Sequence, residues 1–266
     1  MKNIFVEGIQ GSGKSTLINN IVKFNPELHV CREGDYSPIE LAWCALMSKK
    51  EYEAVLEKYN SIRDEIIKNT VREQENYIIT YTKIITDIPG FYKDLENYEV
   101  YNGRKTLAEL KEIIVTRFKN FTDTGYLFEC SFFQNVIEDL ILFHILSDEE
   151  IIEFYRNLFR CIDAKKFILF YLYSDKLEEN IKIIQKYHTS KKIFCTDCLS
   201  VTKVAFHLQM CHFEYKNLVF NLQNCISNYK VASRNAIHRY NQIRPHSYNG
   251  YRTSYEVRYG LESFRW

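Results

Sequence analysis

The segment Gly8 to Thr16, Gly-Ile-Gln-Gly-Ser-Gly-Lys-Ser-Thr, constrains this chain more than any other stretch. Gly8, Gly13, Lys14 and Ser15 meet the pattern Gly-x-x-x-x-Gly-Lys-Ser, and Gly11 adds a further glycine inside it. An apolar run, Ile4-Phe5-Val6, precedes the loop, and a helical pattern from Lys14 to Phe24, closed by Pro26, follows it. Strand, glycine-rich loop and helix in that order make a P-loop. Its backbone N–H groups crowd around phosphate oxygens, the helix N-terminus adds partial positive charge, and each polar side chain has a task. Gly8, Gln10, Gly11, Ser12, Gly13, Lys14, Ser15 and Thr16 are therefore the expected ATP-binding residues, with Lys14 on the β/γ-phosphates and the Ser15 hydroxyl on Mg²⁺.

The rest of the chain can support such a domain. Its 266 residues fit one α/β domain with decoration, and 46% hydrophobic residues with only 9 Gly and 4 Pro suit a packed core rather than disorder. The apolar start is broken at once by Glu7, which does not read as a secretory leader. The eight cysteines, diluted over this length, are then expected to be reduced, and the protein cytoplasmic. The apolar run Phe167 to Tyr173 is too short to span a bilayer, so no membrane association is expected.

Periodicity lays out the elements. Strands are expected at 3–7, 28–32, 77–85, 125–130 and 166–173, and helices at 14–24, 39–47, 51–75, 106–118, 131–146, 147–160 and 175–187. Ser147 or Asp148 supplies a capping start for the helix that follows. Alternating apolar strands and helices imply an α/β fold, a mostly parallel sheet flanked by helices, with a C-terminal appendage. The alternation fades after Tyr187, where 216–222 has the character of a strand and 223–242 of a helix. Charge changes at the same place: from His188 onward there are 11 Lys+Arg against 4 Asp+Glu, leaving 24 against 30 before it. Residues 1–190 and 191–266 are read as two units, the second basic and able either to touch nucleic acid or to form a solvated surface.

Residues Phe5 to Thr16 are similar to the first strand and loop of thymidylate kinases and their deoxynucleoside-kinase relatives, and Arg32-Glu33 followed by Pro38-Ile39-Glu40 resembles their Arg-Glu-Pro segment. Glu129-Cys130-Ser131 with Gln134 stands where that family has an acidic-Arg-x-x-Ser stretch, with Cys130 in place of the arginine. The resemblance spans about 2–187. It implies a P-loop fold using ATP and Mg²⁺, with catalytic work for Lys14, Glu33 and Glu129, metal contacts from Ser15 and Glu129, and substrate contacts from Arg32, Tyr36 and Gln134. A structural carboxylate is the alternative for Glu129, and exposed turn residues for Arg32 and Glu33. The family's arginine-bearing lid has its counterpart in 186–192, which carries lysines and no arginine.

Two features of the basic segment stand apart. Cys195, Cys198, His207 and Cys211 offer Cys-x₂-Cys-x₈-His-x₃-Cys spacing that zinc would accept, although incidental thiols produce the same pattern. The stretch 236–253, containing Tyr240-Asn241 and Arg244-Pro245-His246, resembles the C-terminal end of integrase-like insertion-sequence transposases, without the body that would carry their carboxylate triad. The expected function is a kinase passing the γ-phosphoryl group of ATP to a nucleoside, nucleotide or similar small acceptor. The alternatives are a transposase-derived, DNA-associated fragment and an ATP-binding protein without turnover.

Overall fold

Alternation in the first strand decides how the sheet is covered. In β1 (Asn3–Gly8) successive side chains point to opposite faces, so Phe5 and Val6, both fully buried, need cover on both sides. The computed structural model describes residues 1–9, 12–173, 207–212, 223, 226, 227, 230, 245, 246, 252 and 253. In chain order the elements after β1 are α1 (Lys14–Phe24), β2 (His29–Cys31), β3 (Ala45–Ser48), α2 (Lys49–Lys58), α3 (Arg63–Lys68), β4 (Thr70–Glu73), β5 (Asn76–Ile79), α4 (Phe91–Glu96), α5 (Leu107–Asn120), β6 (Tyr126–Glu129), α6 (Gln134–Leu142), α7 (Asp148–Arg160), β7 (Phe167–Tyr173), β8 (His207–His212), β9 (Pro245–His246) and β10 (Arg252–Thr253).

The main sheet has the order β2-β6-β1-β7-β8. The first four strands are parallel, with Val6 opposite Glu129 on one side of β1 and Gly8 opposite Leu172 on the other. This is a mixed α/β architecture, a parallel four-stranded sheet flanked by helices. On one face Val6, Leu127 and Leu172 pack against Ile18 of α1. On the other, Phe5 lies between Phe128, Phe132 and Phe167, with ring centroids 5.2–5.3 Å away, and Phe118 of α5 and Tyr155 of α7 close the layer. Burying one such side chain contributes about 1.5–3 kcal/mol. Among the described residues no helix is long and apolar enough to cross a membrane.

Between β2 and β6 the chain builds a second, smaller core. The antiparallel sheet β3-β5-β4 packs Ala45, Met47 and Ile79 against Tyr52, Val55, Leu56 and Tyr59 of α2 and its C-terminus and against Phe91 and Leu95 of α4. This region corrects several expectations. Residues 39–44 are not helical and lead into strand β3; the helix expected over 51–75 is α2, a 3₁₀ turn at Asn60–Ile62, α3 and then strand β4; and the strand expected over 77–85 stops at Ile79, giving way to a 3₁₀ turn at Tyr81–Lys83. The helix expected over 131–146 is shorter, Gln134–Leu142. Among the described residues three helices start at capping boxes, Ser48 with Glu51, Thr106 with Glu109 and Ser147 with Glu150.

The segment beyond residue 190 is not a bystander to this sheet. β8 runs antiparallel along β7 over six register pairs, Tyr173 opposite His207 through Ile168 opposite His212. Ile226 is 1% exposed within the main core, and Lys230 pairs with Asp148 at the start of α7. The described residues of this segment therefore join the edge of the main sheet and its core. The strand comes from 207–212; the strand expected at 216–222 lies outside the described residues, as does the helix expected at 175–187.

Candidate functional site

Parallel strands leave their carboxyl ends on one edge, and there the glycine loop, Lys14, Ser15 and Glu129 meet. β1 ends at Gly8, whose backbone must pass close to β7: an added Cβ would stand 2.7 Å from the Leu172 carbonyl oxygen and 2.8 Å from Ser12 Oγ. Gly13 takes φ 93° as the N-cap residue of α1, and among the described residues beyond its chain neighbours and the helix's own first turns no heavy atom lies within 4 Å of where its Cβ would be. Among the described residues of the loop, these two positions need glycine. Gln10 and Gly11 lie outside the described residues. Ser12 is 4% exposed, and its hydroxyl has no hydrogen-bond partner among the described residues. A buried hydroxyl in that state costs about 1–3 kcal/mol until a partner arrives.

Lys14, the first residue of α1, is buried, and its ammonium donates to the carbonyls of Gly8 at 2.8 Å and Ile9 at 3.0 Å. The next residue reaches across to β6: Ser15 Oγ donates to Glu129 Oε1 at 2.8 Å. Thr16 follows, exposed on the first turn of the helix. The hydroxyl and carboxylate expected to share a metal are thus already in contact. An oxygen-only donor pair of this kind suits a hard cation such as Mg²⁺.

Behind Glu129 the chain bends sharply. Cys130 has φ 60°, a left-handed conformation costing a non-glycine residue about 1–2 kcal/mol. Its neighbours hold it there. Cys130 N–H donates to Val6 O at 3.2 Å, its thiol donates to Gln134 Oε1 at 3.2 Å, and Asn135 Nδ2 bridges Cys130 O at 3.3 Å and Glu40 Oε1 at 3.4 Å. Burial pushes the Cys130 thiol well above its usual range, so it serves as a neutral donor. Gln134 is engaged with this turn.

The acidic side chains around the opening act on one another. Glu33, two residues past β2, accepts from Trp43 Nε1 at 2.9 Å. Glu40 is pushed up to about 8 chiefly by burial, then by the charge of Glu33, and Glu138 on α6 is raised to about 8 by burial and again by Glu33, with Lys14 opposing. β2 and β6 are neighbours, so Glu33 and Glu129 stand at adjacent strand ends. Arg32 and Tyr36 are occupied within the protein. The Arg32 guanidinium donates to Asn19 Oδ1 at 2.6 Å, and the Tyr36 hydroxyl donates to Glu73, which also receives Arg117 at 2.6 and 3.1 Å. Burial and Glu73 push Tyr36 up to about 12.

Sequence reasoning passed over Glu7, Glu40, Asn135 and Glu138. Glu7 left a signal, a carboxylate inside an apolar strand one residue before the glycine loop. It is fully buried, accepts from the backbone N–H of Phe132 at 2.7 Å and of Gln134 at 3.1 Å, and is pushed up to about 7 by that burial against those bonds and the charge of Lys14. Of the four residues grouped for zinc, Cys195 and Cys198 lie outside the described residues. His207 and Cys211 both fall in β8, four residues or about 13 Å apart along an extended strand. Comparison with family models, with curated proteins and with solved structures gives no match for this chain.

Proposed function

We propose that this chain is an ATP-binding P-loop protein that passes the γ-phosphoryl group to a nucleoside, nucleotide or similar small acceptor. The observation carrying this reading is the convergence, at the N-terminus of α1, of buried Lys14 with the Ser15–Glu129 pair. The unpartnered Ser12 hydroxyl beside them supports it, since a phosphate oxygen would satisfy it.

Lys14 rests on two neutral carbonyls. A phosphate in the loop offers an anionic acceptor instead, which adds attraction between opposite charges to the bonds that the ammonium makes. Ser15 and Glu129 would hold Mg²⁺, which when bound neutralises charge on the phosphates. Glu33, at the neighbouring strand end, is placed to orient or deprotonate an acceptor hydroxyl. The test is calorimetric titration of ATP with and without Mg²⁺ into the protein and into Lys14→Ala, followed by ADP release with a panel of nucleosides and their monophosphates. Micromolar Mg²⁺-dependent ATP binding that Lys14→Ala weakens at least tenfold is expected. Equal binding by the two proteins overturns the phosphate site, and binding without ADP release under any acceptor overturns transfer.

A further inference from the structure

We infer that Glu7 is a positioning residue, which sets the place of Glu129 relative to the glycine loop by capping α6 from a neighbouring strand. The inference rests on the phosphate-site reading above and adds to it the group that holds the site's two halves together.

The first turn of any helix leaves backbone N–H groups without intrahelical partners, and a local Ser, Thr, Asp or Asn normally accepts from one of them. α6 has no such residue. Its N-cap is Phe133, no side chain in that position caps it, and its first turn contains no acidic residue. The acceptors come instead from β1. Glu7 Oε1 takes the N–H of Phe132 and Glu7 Oε2 the N–H of Gln134, across 125 and 127 residues of chain. One carboxylate, with a separate oxygen for each amide, therefore fixes both position and rotation of the turn that leaves Glu129.

The position of Glu7 in the sheet explains why this turn matters to the site. Val6 is in register with Glu129, so Glu7 lies one residue beyond the end of β6, where that chain has bent away at Cys130. The following residue, Gly8, opens the glycine loop, and the Lys14 ammonium, bonded to Gly8 O, acts electrostatically on Glu7. Glu7 thus belongs to the strand that leads through the glycine loop into α1, where Lys14 and Ser15 stand, and it grips the turn that follows Glu129. If the grip fails, the Ser15–Glu129 spacing is what changes. The filled N-terminus of α6 also contrasts with that of α1, where Ser12 is unpartnered and Gly13 faces open space.

Glu7→Gln tests this in the full chain, because the amide keeps the shape but has one acceptor and sets its NH₂ against a backbone N–H. ATP affinity is measured with and without Mg²⁺. The factor by which Mg²⁺ strengthens binding is expected to fall about tenfold, while metal-free binding stays within about twofold of the parent. In a Glu129→Gln background the same change is expected to add nothing to the Mg²⁺ factor. Glu7→Asp, which keeps the charge but is a methylene shorter, is expected to be intermediate, and it carries the test with the same readouts if Glu7→Gln is insoluble. An unchanged Mg²⁺ factor, an equal loss with and without metal, or full additivity with Glu129→Gln overturns the inference and leaves the phosphate site standing. A parent protein without Mg²⁺-dependent binding overturns both.

Discussion

Ser15 Oγ and Glu129 Oε1 lie 2.8 Å apart across 114 residues of chain, so the first turn of α1 and the end of β6 meet through their side chains. Glu129→Gln keeps the shape of this contact and removes its charge. Metal-free ATP binding is expected to change little, and the Mg²⁺ concentration giving half the full effect to rise about tenfold or more, since the lost group is an anionic oxygen donor. An identical Mg²⁺ titration for the two proteins removes Glu129 from the metal shell.

The two glycines of the loop should respond differently to alanine. At Gly8 the new Cβ meets a backbone oxygen of β7 at 2.7 Å as well as an unfavourable φ of 149°, so Gly8→Ala is expected to cost more than about 2 kcal/mol. At Gly13 only the φ of 93° is at issue, and a cost of about 1–2 kcal/mol is expected. Denaturant unfolding of both variants checks the order; equal costs contradict the close approach at Leu172.

Ile145 lies just past α6 with φ 55° and 82% exposure, a β-branched residue in the conformation where helices usually place glycine. Ile145→Gly relieves the strain and removes little burial. A gain of about 1 kcal/mol, or about 2–4 °C in Tm, is expected by thermal unfolding. A loss of stability shows that the isoleucine side chain makes contacts worth more than its strain.

Stability should fall as pH rises through neutrality. Burial raises Glu7 and Glu99 to about 7 and Glu40 to about 8, so between about pH 4.5 and 8 the folded state keeps protons that the unfolded state releases. Below that window the capping carboxylates Glu51, Glu109 and Glu150, lowered chiefly by bonds from Ser48, Thr106 and Ser147, are protonated and their contribution is lost. Tm is expected to peak near about pH 5 and to decline toward pH 8, and Glu40→Gln to flatten the decline. A Tm that climbs steadily from pH 5 to 8 contradicts the assignment.

Deleting everything after residue 190 is expected to give insoluble protein. The cut removes β8 from the edge of β7 and Ile226 from the core, leaving an apolar strand with unpaired backbone groups. A soluble truncation that binds ATP shows instead that the four parallel strands stand alone.

What the sequence disclosed was decided by local punctuation. Lys14–Phe24 and Phe167–Tyr173 were readable because glycine, proline and unbroken apolar runs bound them, and Ser147 announced α7 through its Glu150 partner. The hairpin β4–β5 was not readable. Its two-residue loop is Gln74-Glu75, with Gln74 at φ 52°, and neither residue is the glycine or asparagine that usually marks such a turn. Residues 39–47 misled because Leu41, Cys44 and Ala45 stand at i, i+3 and i+4 as on a helix, yet Ile39, Leu41, Ala42, Cys44, Ala45 and Met47 are all buried, and Trp43 at φ 61° breaks any helix there. At the site, Lys14 and Ser15 could be named from motif spacing, and Glu129 from the family resemblance around residues 129–134. Glu40 and Glu138 could not, because only tertiary packing brings them beside Glu33.

The antiparallel pairing of β8 with β7 also sets an order of events during synthesis. Tyr173 and His207 face each other in the sheet with 33 residues between them in the chain. At about 5–20 residues per second, a ribosome needs about 2–7 s to make that interval. For that time every nascent molecule carries a completed Phe-Ile-Leu-Phe-Tyr-Leu-Tyr strand without its edge partner, within reach of its neighbours on the same messenger. Crowded translation is therefore the moment at which this chain is most exposed to association with itself.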